Sequence, residues 1–154
     1  MRAPAGYENI VVTGPQLDDA SFEAIAAQAA PGTQVHRSWP GLGSQIAEAA
    51  AVISMGGYNT VCEILATDTP ALVVPRETPR LEQLIRAEAL RDARALDVMR
   101  TPQVTAETLG AWAAGAVTRR VDRSHISRDG LAATADFAAD LLSDANPAVQ
   151  EVVA

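Results

Sequence analysis

Short apolar, often β-branched runs alternate with longer stretches whose apolar residues recur at helical spacing. Ile10-Val11-Val12-Thr13, closed by Gly14-Pro15, predicts a strand and a turn. Asp18 and Ser21 are candidate N-caps for a helix with Phe22, Ile25 and Ala29 on one face, stopped by Pro31-Gly32. Thr33 to His36 reads as a second strand, Trp39 to Gly43 as a loop, and Gln45 to Ala50 as a short helix. The apolar run Ala49 to Ile53 predicts a buried parallel strand, and it feeds a helix with Val61, Ile64 and Leu65 on one face, running to about Thr67. Asp68-Thr69-Pro70 breaks that helix. Ala71 to Val74 then predicts a strand closed by Pro75, and Leu81, Leu84, Ile85 and Ala89 mark the next helix. Ala95 to Met99 suggests an edge strand. Thr105 caps a helix carrying Leu109, Trp112, Ala113, Ala116 and Val117, Arg119 to Asp129 reads as a loop, and Leu131 to Leu142 as a last helix.

Strands and helices alternating at these intervals suit right-handed βαβ crossovers. The expected fold class is α/β: a single doubly wound, Rossmann-like domain with a parallel sheet flanked by helices. Residues 1–7 are expected to be linker, 8–144 the domain and 145–154 a tail. In open parallel sheets ligands bind beyond the carboxyl ends of the strands, so the loops at Gly14, Trp39, Gly56 and Arg76 are expected along one rim.

Composition narrows the partners. The chain has 154 residues, enough for one core but not for two ordinary ones, and a formal charge of −7. That charge argues against nucleic acid, whose binding needs a basic face. Cys62 is the single cysteine, which excludes an internal disulfide and suits a reducing cytoplasm. The sequence has no run of about 18 apolar residues that could span a membrane, and Met1 to Glu8 does not form a secretory pattern.

The candidate chemistry centres on Ser54 to Glu63, SMGGYNTVCE. Adjacent glycines Gly56 and Gly57 at a strand-to-helix turn let a ligand approach bare backbone, and the first N–H groups of the helix that follows form an anion site of the kind phosphate occupies. The turn is neither G-x-G-x-x-G nor a Walker A loop, and a purely structural turn fits the local pattern as well. Thr60 and Glu63 also admit two readings. They fit a capping box, or else Thr60 donates to a phosphate while Glu63 accepts from the two hydroxyls of a ribose.

The second informative stretch is Pro75 to Gln83, PRETPRLEQ. Glu82 and Gln83, a carboxylate beside an amide at the start of a helix, suit the hydroxyls of a sugar ring, although Glu82 also has Arg86 at i+4 as an ordinary ion-pair partner. Arg76 and Arg80 stand near the supposed phosphate. His36 shows no partner at short range in the sequence, His125 is not expected to be catalytic, Cys62 looks structural, and no His/Cys/Asp/Glu cluster has metal-ligand spacing.

Taken together, SMGGYNTVCEILATDTPALVVPRETPRLEQLIRAEAL resembles the C-terminal, donor-binding domain of GT-B glycosyltransferases of family 28, close to the MurG-like group and to a bacterial branch of predicted glycosyltransferases. The match is densest from Ala49 to Leu90. The resemblance implies a nucleotide diphosphate sugar donor, usually a UDP-sugar, with no cofactor and no metal. It places the diphosphate on Gly56, Gly57, Tyr58, Asn59 and Thr60, the ribose on Glu63, the transferred sugar on Glu82 and Gln83, the uracil at the Trp39 loop, and Arg76 nearby. It also implies an inverting transferase whose base belongs to an N-terminal acceptor domain, supplied in cis or by a separate chain, so that this chain alone would be inactive. The chain departs from the pattern at Thr13-Gly14-Pro15-Gln16, where MurG-type enzymes carry a glycine-rich loop. A non-catalytic sugar-nucleotide-binding or assembly module is the competing expectation. The last helix could support dimers through an exposed apolar face.

Overall fold

All the apolar runs expected to be strands form strands, and every pairing between them is parallel. The computed structural model describes residues 1–144. Along the chain lie β1 (Ile10–Val12), α1 (Asp19–Gln28), β2 (Gln34–His36), α2 (Leu42–Glu48), β3 (Val52–Ser54), α3 (Tyr58–Leu65), β4 (Ala71–Val73), α4 (Glu82–Asp92), β5 (Asp97–Val98), a single 3₁₀ turn (Thr101–Gln103), α5 (Ala106–Ala116) and α6 (Gly130–Asp144). This is the expected α/β alternation. The expected tail at 145–154 lies outside the described residues.

The chain divides after Arg123 into two units. In the first, hydrogen bonding makes two parallel sheets: β1 with β2, and β3-β4-β5 in that order. The centre is β4. Ala71, Leu72 and Val73 are all buried, because β4 has a strand on each side and helices packed over it. Ile46 of α2, Ile64 of α3, Ala87 of α4 and Leu96 close over Ala71 and Val73 to form the core. Buried Thr69, just ahead of β4, donates its hydroxyl to the Ile46 carbonyl at 2.8 Å and so joins α2 to the start of the strand.

Several local expectations shift. β3 begins at Val52, not Ala49, and is only half-buried, since it is an edge of its sheet. α2 starts three residues early, at Leu42, because Gly41 takes a left-handed conformation (φ 69°) and caps it. On α4 the buried residues are Leu84 and Ala87, whereas Leu81, Ile85 and Ala89 face solvent. Both sets have helical spacing, and only the position of the sheet selects between them. α1 is capped by Asp18 as expected, but none of its residues is buried. The Arg37 guanidinium stands over Phe22, 4.2 Å from the ring centre.

The segment read as a polar loop after α5 contains a structural anchor. Arg123 is 6% exposed, and its guanidinium donates to the carbonyls of Ala95, Thr67 and Thr69 at 2.7, 2.7 and 2.9 Å. It ties the ends of α3 and α4 together just before β4 and β5. Burial pulls its pKa below the ordinary arginine value, partly opposed by Asp68.

The second unit holds α6, on which Leu131, Phe137, Leu141 and Leu142 are exposed. No helix among the described residues is long and apolar enough to cross a membrane.

Candidate functional site

The two adjacent glycines do different work. At Gly56 the chain turns out of β3 with φ +74°, and the turn is closed by the Gly56 N–H donating to Ser54 Oγ at 3.1 Å. A methyl group on Gly56 would stand 2.6 Å from Val73 Cγ1, so this residue is glycine for both conformation and space. Gly57 has an ordinary φ of −57° and nothing within 4 Å of where a methyl would sit. It is the open face of the corner.

Gly57 is also the N-cap of α3. Having no side chain, it makes no capping hydrogen bond, and the first helical bond runs from Val61 N–H to the Gly57 carbonyl at 2.9 Å. Among the described residues the N–H groups of Tyr58, Asn59 and Thr60 therefore find no acceptor, and they stand at the positive end of the helix dipole. Tyr58 and Asn59 are exposed and Thr60 half-buried. This overturns the capping-box reading: the helix begins two residues before Thr60, so Thr60 lies in the first turn, and neither its hydroxyl nor Glu63 closes the helix end. The glycine cap decides this, because it starts the helix without a side-chain acceptor.

Glu63 lies one turn further along α3, half-buried, and faces α2. A methyl on Gly43 would meet its Cγ, Cδ and Oε1 at 3.5–3.6 Å. Its carboxylate makes no ion pair or hydrogen bond among the described residues. It therefore stands beside the end of the Trp39–Gly43 segment with its acceptors free. Trp39 is half-buried, edge-on to His36 with ring centres 4.4 Å apart. His36, which showed no short-range partner in the sequence, thus has Trp39, and its Nε2 also lies 3.3 Å from Gln34 Oε1. Cys62 is exposed and free, not a packing residue.

On the other side of the corner, a cleft of about 400 Å³ is lined by Tyr58, Arg76, Pro79, Arg80, Glu82, Gln83 and Arg86. The structure thus brings Tyr58, Arg76, Glu82 and Gln83 together, as the sequence suggested, while Trp39 and Glu63 lie towards α2. Gln83 Oε1 accepts the Arg76 backbone N–H at 3.0 Å, which leaves its amide nitrogen to donate. Glu82 is not free. It pairs with Arg86 at 2.8 Å, the ordinary i, i+4 reading.

Arg86 is the residue the sequence reading passed over. Its second nitrogen, Nη2, donates to the Gly56 carbonyl at 3.1 Å, and its guanidinium stands 5.7 Å from the centre of the Tyr58 ring. The only signal in the sequence was its spacing from Glu82, which gives the ion pair but not the reach to Gly56, thirty residues away. A separate cleft of about 350 Å³ opens where β4 and β5 begin. Three of its arginines, Arg91, Arg119 and Arg120, are matched by Asp92, Asp97 and Asp68.

Comparison with known proteins gives a consistent picture. Residues 6–115 match the family model described as "Glycosyltransferase family 28 C-terminal domain". Over 106 residues, 66% of this chain, the sequence is 30% identical to the UDP-N-acetylglucosamine–N-acetylmuramyl-(pentapeptide) pyrophosphoryl-undecaprenol N-acetylglucosamine transferases of Salmonella dublin and Salmonella typhi. The match covers 30% of the length of each of those proteins. The solved glycotransferase of kitacinnamycin superposes on 77% of this chain and 37% of its own, with a TM-score of 0.51 at 18% identity, a likeness of fold.

Proposed function

Because this chain belongs to the glycosyltransferase family 28 C-terminal domains, we propose that it is the donor-binding half of an inverting glycosyltransferase that uses a nucleotide diphosphate sugar of the UDP-N-acetylglucosamine kind. The observation that carries this reading is the uncapped tip of α3. Three N–H groups without acceptors, behind a corner with no side chain on its open face, are what a diphosphate requires.

The placement of the residues supports a set of roles on this reading. The N–H groups of Tyr58, Asn59 and Thr60 hold the diphosphate. Glu63, with free carboxylate oxygens beside Gly43, accepts from the ribose hydroxyls, and the Trp39 segment receives the base. Gln83 and Arg76, in the cleft across the corner, face the transferred sugar, with Glu82 held by Arg86 until a ligand competes for it. In the whole enzyme an acceptor hydroxyl attacks the anomeric carbon as the carbon–oxygen bond to the diphosphate breaks, and the negative charge growing on that leaving group meets the α3 dipole. The acceptor-binding site and the base belong to a further domain, in cis or in trans. The isolated chain is expected to bind nucleotide weakly and turn nothing over.

The test is UDP binding. Wild type should show saturable binding by calorimetry and a thermal shift with UDP. Glu63→Ala should weaken binding by about 1–3 kcal/mol, the usual loss when a charged hydrogen-bond partner is removed. Equal affinity in wild type and variant would remove Glu63 from the site, and a wild type indifferent to UDP would favour a non-catalytic module.

A further inference from the structure

Glycine corners are the most pliable points of a backbone, yet a preorganised anion site needs this one held still. Val73 lies against Gly56 where a Cβ would project. The Gly56 carbonyl accepts from Arg86 Nη2 at 3.1 Å. The peptide unit is planar, so fixing that carbonyl fixes the Gly57 N–H, and Gly57, with φ −57° and ψ 147°, leads from that peptide into α3.

Arg86 is itself held in place. Its Nη1 meets Glu82 Oε1 at 2.8 Å, its side chain is 21% exposed, and its Nε is buried without a partner. An arginine fork can hold a carboxylate with one nitrogen and a carbonyl with the other, whereas a lysine has a single nitrogen for both. The guanidinium also places a positive charge beside the corner, of the same sign as the helix tip.

We propose that Arg86 is the positioning residue of the donor site: by gripping the Gly56 carbonyl from α4 it aims the N–H groups of Tyr58, Asn59 and Thr60 at the diphosphate. This rests on the donor-binding reading above, and it predicts a selective defect. Uridine, which has no phosphate, should be indifferent to Arg86, while UDP should not.

The experiment is an NMR titration of the full chain with UDP and, separately, with uridine, for wild type, Arg86→Met and Arg86→Lys, with urea unfolding measured in parallel. Arg86→Met should lose about tenfold or more in UDP affinity, as for a lost charged partner, and keep uridine affinity within about twofold. Arg86→Lys restores the charge without the fork and should fall between the two. Should Arg86→Met not fold, the lysine variant decides alone, by a UDP loss without a uridine loss. Parallel losses for both ligands, or no loss for either, would overturn the positioning role and leave the donor reading standing. A folded wild type that fails to bind UDP would remove both.

Discussion

The sharpest consequence of the corner is that its two glycines should fail differently when each is replaced by alanine. At Gly56 an alanine must hold φ near +74°, which costs about 1–2 kcal/mol for a residue with a Cβ. Its methyl would also stand 2.6 Å from Val73 Cγ1 on the fully buried strand β4, where crowding a packed core adds about 1–3 kcal/mol. Together these give about 2–5 kcal/mol, a large part of the 5–15 kcal/mol typical of a domain. At Gly57 neither term applies. The φ of −57° is ordinary and the space open, so Gly57→Ala should stay within about 0.5 kcal/mol of wild type. On the proposed donor-binding reading, its methyl would nonetheless occupy the face that a diphosphate approaches. Urea unfolding followed by circular dichroism, with UDP titration of the folded variants, separates the outcomes: Gly56→Ala loses stability, and Gly57→Ala loses affinity at wild-type stability. Val73→Ala should relieve Gly56→Ala, the pair costing less than the sum by about 0.5–3 kcal/mol. A Gly56→Ala protein as stable as wild type would refute this account of the corner.

Two further predictions concern the frame around the site. Arg123→Met strips three buried or half-buried carbonyls, those of Thr67, Thr69 and Ala95, of their donor and should destabilise the first unit by about 2–4 kcal/mol. An unchanged urea midpoint would show that water replaces the guanidinium without loss. Glu77, hydrogen-bonded by Arg100, has its carboxyl held below its ordinary value of 4.5. Its folded-state pKa is depressed, so its small contribution to stability is complete above pH 4.5 and is lost as the pH falls through the folded value. The gap between wild type and Glu77→Gln in urea midpoint should therefore narrow as the pH is lowered below 4.5, and a gap independent of pH would contradict the pairing.

Most element types were legible because periodicity is a local property. The apolar runs at Ile10, Ala71 and Ala95 predicted strands, and Asp18 and Thr105 predicted caps that form, accepting from the N–H groups of Ser21 and Thr108. Thr60 shows where local reading stops. Thr-Val-Cys-Glu satisfies the spacing of a capping box, yet the turn set by Gly56 against Val73 starts the helix at Tyr58. A spacing rule cannot anticipate a contact made seventeen residues downstream.

The sequence by itself determined the alternation of strands and helices, the position of the glycine corner, and the family to which Ser54–Glu63 and Pro75–Gln83 point. Each is read from short stretches of the chain without knowing how they pack. Tertiary structure alone decided which face of α4 is buried, that Glu63 stands against Gly43, that Arg123 anchors three carbonyls, and that Arg86 reaches across to Gly56. These are contacts between elements separated along the chain. Side-chain chemistry permits each of them, but only the packing of helices around β4 brings the partners within reach.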